Sequence, residues 1–136
     1  MVLLIDTNII LDYLLKREPF YDDARKVMRL CSRNDVDGTA ALHTITTIWY
    51  ILRRLPDDTR RTVLISICEL LQVVGTSHNE VINALKMTEF KDFEDCIQVK
   101  CAKTAGADYV ITRNNADFDL SEIPVLSPAE LIAKYQ

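Results

Sequence analysis

The chain has 136 residues, a formal net charge of −4, 49% apolar residues and 26% charged ones. That length favours one compact domain over residues 1–136. Such a domain buries about two-thirds of the surface its unfolded chain exposes, so it needs no disulfide or structural metal to hold it. The acidic balance argues against a protein that coats nucleic acid by bulk electrostatics, and no run of about 18 apolar residues exists to span a membrane.

Val2 to Ile5 is a short apolar run bounded at once by Asp6, which reads as a buried strand. It lacks the basic flank and small-residue cleavage site of a signal peptide, so the expectation is a cytoplasmic protein. Asp6-Thr7-Asn8 is a helix-start signal, followed by Ile9, Ile10, Tyr13 and Leu14 at helical spacing, with Pro19 expected to end the helix. A second helix is expected over Phe20 to Arg33, with Ala24, Val27, Met28 and Cys31 on one face, and then a strand over Val36 to Ala41. Thr44 to Leu55 reads as a helix with Ile45, Ile48, Trp49 and Leu52 inward, ending before Pro56. Another helix runs from Asp57 to about Leu71, followed by a short strand over Gln72 to Val74. Asn79 to Thr88 reads as helical. Asp92 caps a helix from Phe93 to Thr104, which Gly106 stops. Strands over Asp108 to Thr112 and Ile123 to Leu126 follow, and Pro128 opens a terminal helix. Apolar strands alternating with helices predict an α/β protein with a mostly parallel sheet and helices on both faces.

The four cysteines, Cys31, Cys68, Cys96 and Cys101, show no C-x-x-C pair, and neither His43 nor His78 lies near one. This spacing does not suit zinc and reads as buried, reduced thiols.

In open parallel sheets, ligands collect outside the carboxyl ends of the strands. Asp6 directly follows the first strand. Thr112, Arg113, Asn114 and Asp117 lie at or just after the end of the Asp108–Thr112 strand. Asp95 lies in the first turn of the helix that feeds that strand, and such a helix starts at the same edge. Each acid has a plain structural role open to it: Asp6 as a helix cap, Asp95 as a charge at a helix N-terminus, Asp117 as a solvated loop acid. Together they form a shared cluster of like charges, which is costly unless a cation joins them. Carboxylates with few histidines suit Mg²⁺ or Mn²⁺. Arg113 stands where it would hold a scissile phosphate. Arg53, Arg54, Arg60 and Arg61, with Arg17, Arg25, Lys26 and Arg29, read as solvated helix faces, and Trp49 and Tyr50 as core.

The run Leu4-Ile5-Asp6-Thr7-Asn8 resembles the opening motif of PIN-domain nucleases. Asp92-Phe93-Glu94-Asp95, Gly106-Ala107-Asp108-Tyr109 and Ile111-Thr112-Arg113-Asn114-Asn115-Ala116-Asp117-Phe118 resemble the family's C-terminal half. The resemblance is to the small, toxin-type, VapC-like members, and it implies a Rossmann-like three-layer α/β/α sandwich with Mg²⁺- or Mn²⁺-dependent cleavage of RNA. Carried over position by position, Asp6, Asp95 and Asp117 match metal-binding acids. Thr112 and Asn114 match polar positions beside the site, Asn114 in a place often held by Asp, and Asn8 matches the asparagine that organises the opening loop. The glutamate usual in the helix after the second strand is replaced, with Thr47 the best match. Glu94 does not compensate, because adjacent helical residues point about 100° apart.

The expected function is therefore an endoribonuclease, the toxin of a toxin–antitoxin pair. A catalytically weak PIN-like module that binds RNA or protein is the alternative that the missing glutamate supports. An aspartyl phosphotransferase is disfavoured, since that chemistry commonly wants a second acid where Asn8 stands. Large apolar residues on the early helices, including Tyr13, Leu15, Phe20, Tyr21, Trp49 and Tyr50, exceed what one face needs. They lead to the expectation of a homodimer or a groove for an antitoxin helix.

Overall fold

The computed structural model describes residues 1–136. Val2–Ile5 forms strand β1, in which Leu3, Leu4 and Ile5 are fully buried, as a strand covered on both faces requires. On one side it pairs with β2 (Asp37–Ala41), which pairs in turn with β3 (Gln72–Val74). On the other side it pairs with β4 (Tyr109–Ile111), beyond which lies β5 (Val125–Leu126). Every pairing is parallel and the order is β3-β2-β1-β4-β5. The expected mostly parallel sheet is thus parallel throughout.

Seven helices cover the sheet: α1 (Thr7–Leu14), α2 (Tyr21–Ser32), α3 (Leu42–Ile51), α4 (Asp57–Leu70), α5 (His78–Lys86), α6 (Phe93–Ala105) and α7 (Pro128–Ala133). Successive β1 side chains point to opposite faces, and the core divides accordingly. Leu3 and Ile5 join Ile9, Ile10, Val27, Met28, Ile48, Ile67 and Leu131 from α1, α2, α3, α4 and α7 in one apolar cluster. Leu4 joins Ala84, Cys96, Val99 and Ala102 from α5 and α6 in the other. This is the three-layer α/β/α sandwich.

Several boundaries differ from the expected ones for local reasons. Helix α1 ends at Leu14, well before Pro19, where Lys16 turns to a left-handed φ of 51°. Helix α3 starts directly at the end of β2 and stops at Ile51, because Leu52 to Leu55 turn ahead of Pro56. Its exposed side carries Leu42 and Tyr50, so Tyr50 is not core (63% exposed). Trp49 is half-buried, with the Arg60 guanidinium 3.5 Å above its ring. Ser77 caps α5 by accepting from the Glu80 N–H, which starts that helix at His78. Asn115–Phe118 forms an unforeseen 3-10 turn. Three cysteines are buried as expected, while Cys68 is exposed.

Two termini fit the sequence reading closely. Asp92 accepts from the Asp95 N–H at 3.1 Å and so caps α6. Gly106 ends that helix with a φ of 69°, the left-handed conformation that glycine adopts most easily. Because α6 runs back along the sheet, this cap places the first turn of α6, and with it Asp95, at the carboxyl edge of β1 and β4. Lys100 anchors the middle of α6. It is almost fully buried, with its ammonium 3.1 Å from Glu122 and 3.4 Å from Glu80.

Candidate active site

Asp6 is the residue at which β1 becomes α1, and it is 2% exposed. Its carbonyl accepts from the Ile9 N–H at 3.0 Å, but its side chain caps nothing. Instead, Thr112 Oγ1 donates to Oδ2 at 2.8 Å and Gln98 Nε2 donates to Oδ1 at 2.8 Å. Both carboxylate oxygens are thereby held by neutral donors from other elements. The simple capping role does not describe this residue.

Gln98 joins two of the acids. Its Nε2 also lies 3.4 Å from Asp95 Oδ1. The side chain is buried and its Oε1 has no hydrogen-bond partner. Asp95 and Gln98 are three residues apart on α6 and share a helix face, so the bridge follows directly from that spacing once Asp6 is opposite.

The Asp95 carboxyl is pushed up to about 7, first by burial and then by the like charges of Asp6, Asp92 and Asp117; the Gln98 hydrogen bond works in the opposite direction. Asp117 lies half-buried in the 3-10 turn, whose backbone closes through Asp117 N–H to the Asn114 carbonyl at 3.0 Å. The Asn114 N–H donates to Thr112 Oγ1 at 3.1 Å, so Thr112 links Asp6 to the segment that carries Asp117.

The three expected acids therefore share one edge, and Asp95 senses the charge of the other two. They do not form a ready-made cage, since no three Asp, Glu, His or Cys side chains converge closely enough to hold one ion in this conformation. The donor set nonetheless fits a hard divalent cation. Only carboxylate and amide oxygens are offered, and the repulsion that raises Asp95 is what a cation would relieve.

Arg113 has a different place from the one expected. Rather than reaching over the acids toward a phosphate, its Nε donates to Asp12 Oδ2 at 2.8 Å and its Nη2 to Oδ1 at 3.4 Å. Its guanidinium also stacks 3.9 Å above the Phe20 ring.

Helix α3 contributes beside the acids. Thr44 is fully buried and its hydroxyl lies 2.7 Å from that of Thr7 on α1. His43 has a buried Nε2 without a partner. Its pKa is lowered by burial, against the opposing pull of Glu94, Asp6 and Asp92. Thr47 stands one turn further along, three and four residues from Thr44 and His43, and so shares their face.

Reasoning from the sequence missed Gln98, Asp12, His43 and Thr44. For Gln98 the only available signal was its i+3 spacing from Asp95, and for Asp12 the presence of an acid among buried α1 positions.

An all-parallel sheet in this order, with acids from the end of β1, the start of α6 and the segment after β4 gathered at its carboxyl edge, defines the class. Residues 2–116 match the sequence profile of the PIN domain, and the chain belongs to that family. It is 24% identical over 135 residues to ribonuclease VapC1 of Aquifex aeolicus (strain VF5), covering 96% of this chain and 93% of that one. Its fold is similar to that in VapBC2 from Rickettsia felis bound to a DNA fragment from their promoter. That match has a TM-score of 0.69 at 14% identity, over 93% of this chain and 98% of that chain. A toxin–antitoxin complex from Klebsiella pneumoniae is likewise similar, with a TM-score of 0.66 at 20% identity, over 92% of this chain and 96% of that chain. No helix is long and apolar enough to cross a membrane.

Proposed function

We propose that this chain is an Mg²⁺- or Mn²⁺-dependent endoribonuclease, acting in the cytoplasm as the toxin of a toxin–antitoxin pair. The observation that carries the reading is the linked set Asp6–Gln98–Asp95 with Asp117 close enough to raise Asp95, all at the carboxyl edge of one sheet. Asp6 lies at the base, oriented by Thr112 and Gln98 before any ligand arrives. Asp95 and Asp117, both only half-buried, complete the oxygen donors on the solvent side. A divalent cation held there supplies Lewis acidity for water and offsets charge on a phosphodiester. Thr112 and Asn114 keep the Asp117 segment against Asp6 through their own hydrogen bond. No side-chain nucleophile is required.

The similarity to a ribonuclease and to VapBC and toxin–antitoxin complexes supports an antitoxin partner. Leu42, Tyr50 and Ile65, each close to 60% exposed on α3 and α4, give an apolar surface for an antitoxin helix or a second copy of the chain.

The test is cleavage of RNA by the purified chain with Mg²⁺ or Mn²⁺ against EDTA. Cleavage should require the ion and fall at least about 100-fold in Asp117→Asn. RNA binding without cleavage under both ions would replace the enzyme with a binding module.

A further inference from the structure

A buried carboxylate beside an apolar core is an expensive feature. Asp12 is such a group: its side chain is 2% exposed and it sits on α1 among Ile9, Ile10 and Leu11. Two arginines answer it. Arg113 makes the bidentate fork described above, and Arg17 Nη1 lies 3.7 Å from Oδ1. A pair of this kind is a poor device for stability, because apolar side chains of similar volume often serve equally well. What it supplies is a fixed geometry between two pieces of chain.

Here those pieces are α1, which begins at Asp6, and the segment after β4. Arg113 sits between Thr112, which donates to Asp6, and Asn114, whose N–H donates to Thr112. From Arg113 to Pro124 the chain has no regular structure beyond the four-residue 3-10 turn that carries Asp117. That turn is anchored at its far end by Phe118, which is 2% exposed and packs edge-on against Phe90. At its near end the side-chain anchors are Thr112, on Asp6, and Arg113, clamped between Asp12 and the Phe20 ring.

We propose that Arg113 is a positioning residue of the acid site: its fork to buried Asp12 tethers the segment bearing Thr112, Asn114 and Asp117 to α1, and so sets where Asp117 stands relative to Asp6. The inference rests on the reading of Asp6 and Asp117 as cation-binding acids for its consequence, though not for the tether itself.

Arg113→Lys, Arg113→Gln and the double variant Asp12→Asn/Arg113→Gln separate positioning from bulk stability. Lysine keeps the charge but cannot make the fork. Glutamine alone leaves the buried carboxylate only the more distant Arg17, whereas the double variant removes both charges of the fork and should recover much of the lost stability. Two readouts follow: hydrogen exchange at the Asn114 and Asp117 amides in EDTA, and Mn²⁺ affinity by calorimetry. In all three variants exchange at those amides should quicken about 10-fold relative to β1 amides, and Mn²⁺ should bind about 10-fold more weakly. Both defects should persist in the double variant although its stability returns.

Unchanged exchange at Asn114 and Asp117 would overturn the tether. So would recovery of exchange and Mn²⁺ affinity together with stability in the double variant, which would leave the pair a structural ornament of the core. Weakened, salt-sensitive RNA binding with normal exchange would return Arg113 to a phosphate contact. A wild-type chain that binds no Mn²⁺ would defeat the cation-site reading, and the tether would then be judged on exchange alone.

Discussion

Asp95→Asn makes the electrostatics of the site measurable without any substrate. The carboxyl is raised from 3.8 to about 7 by burial and by Asp6, Asp92 and Asp117. A folded-state value above the unfolded one means that the stability this group contributes is complete below about pH 4 and declines as pH rises through 7. At about 1.4 kcal/mol per pH unit, holding the bare carboxylate there costs at most about 4 kcal/mol. Solvent screening of a half-buried group lowers that to about 2 kcal/mol. Asparagine keeps the shape and the backbone N–H that Asp92 caps, but gives up an acid in the first turn of α6, a loss of about 0.5 kcal/mol. In EDTA at pH 8 the variant should therefore be more stable by about 1 to 2 kcal/mol, a rise in Tm of roughly 3–8 °C for a chain of this size. At about pH 3.5, below the unfolded value, where Asp95 is protonated in the folded chain and largely so in the unfolded one, the two proteins should melt nearly together. Thermal melts followed by circular dichroism at the two pH values decide the matter. A variant less stable than the wild type at pH 8 would refute the repulsion argument and leave Asp95 as a charge serving the helix end.

Three further outcomes follow from the same geometry. Gln98→Leu removes the donor that lowers Asp95, so the Asp95 midpoint, followed by NMR titration, should move above 7, and the protein should lose about 1–3 kcal/mol; an unmoved midpoint would show that the bridge is idle. Thr47→Glu places an acid on the α3 face shared by His43 and Thr44, and should tighten Mn²⁺ binding measured by calorimetry; weaker binding would mean that Thr47 does not face the acids. Gly38→Ala puts a Cβ 2.5 Å from Leu71 Cδ2 and 2.6 Å from Cys31 Sγ, so urea melts should show a loss of about 1–3 kcal/mol; a neutral result would mean those side chains yield freely.

That Asp6, Asp95 and Asp117 lie at one sheet edge was legible because each sits at a boundary where a periodic pattern starts or stops, and in a parallel sheet those boundaries share one edge. Asp92 and Gly106 were legible for the same reason, as signals at the two ends of α6. What lay hidden was set by tertiary pairing between elements. Gln98 is an uncharged residue in mid-helix, and nothing in its neighbours marks it as the donor to an acid 92 positions away. Asp12 sits in a helix where a polar residue reads as solvent-facing, and its burial depends on Arg113, 101 positions on. That partnership also explains why Arg113, a free cation by sequence, is engaged on α1. Asn115–Phe118 is too short to show any period, and Tyr50 faces solvent because, two residues from Ile48, it stands about 200° around α3 from the buried face of Thr44, Ile48 and Leu52.

The central claim is that Asp6, Asp95 and Asp117 together hold one divalent cation. Calorimetric titration of the purified chain with Mn²⁺, alongside Asp6→Asn, Asp95→Asn and Asp117→Asn, tests it most directly. The account predicts saturable binding to the wild type, matched by a rise in Tm as for any ligand of the folded state, and loss of that binding in each variant while all three remain folded. Binding that survives in the three variants, or a wild-type chain that takes up no Mn²⁺, would contradict it.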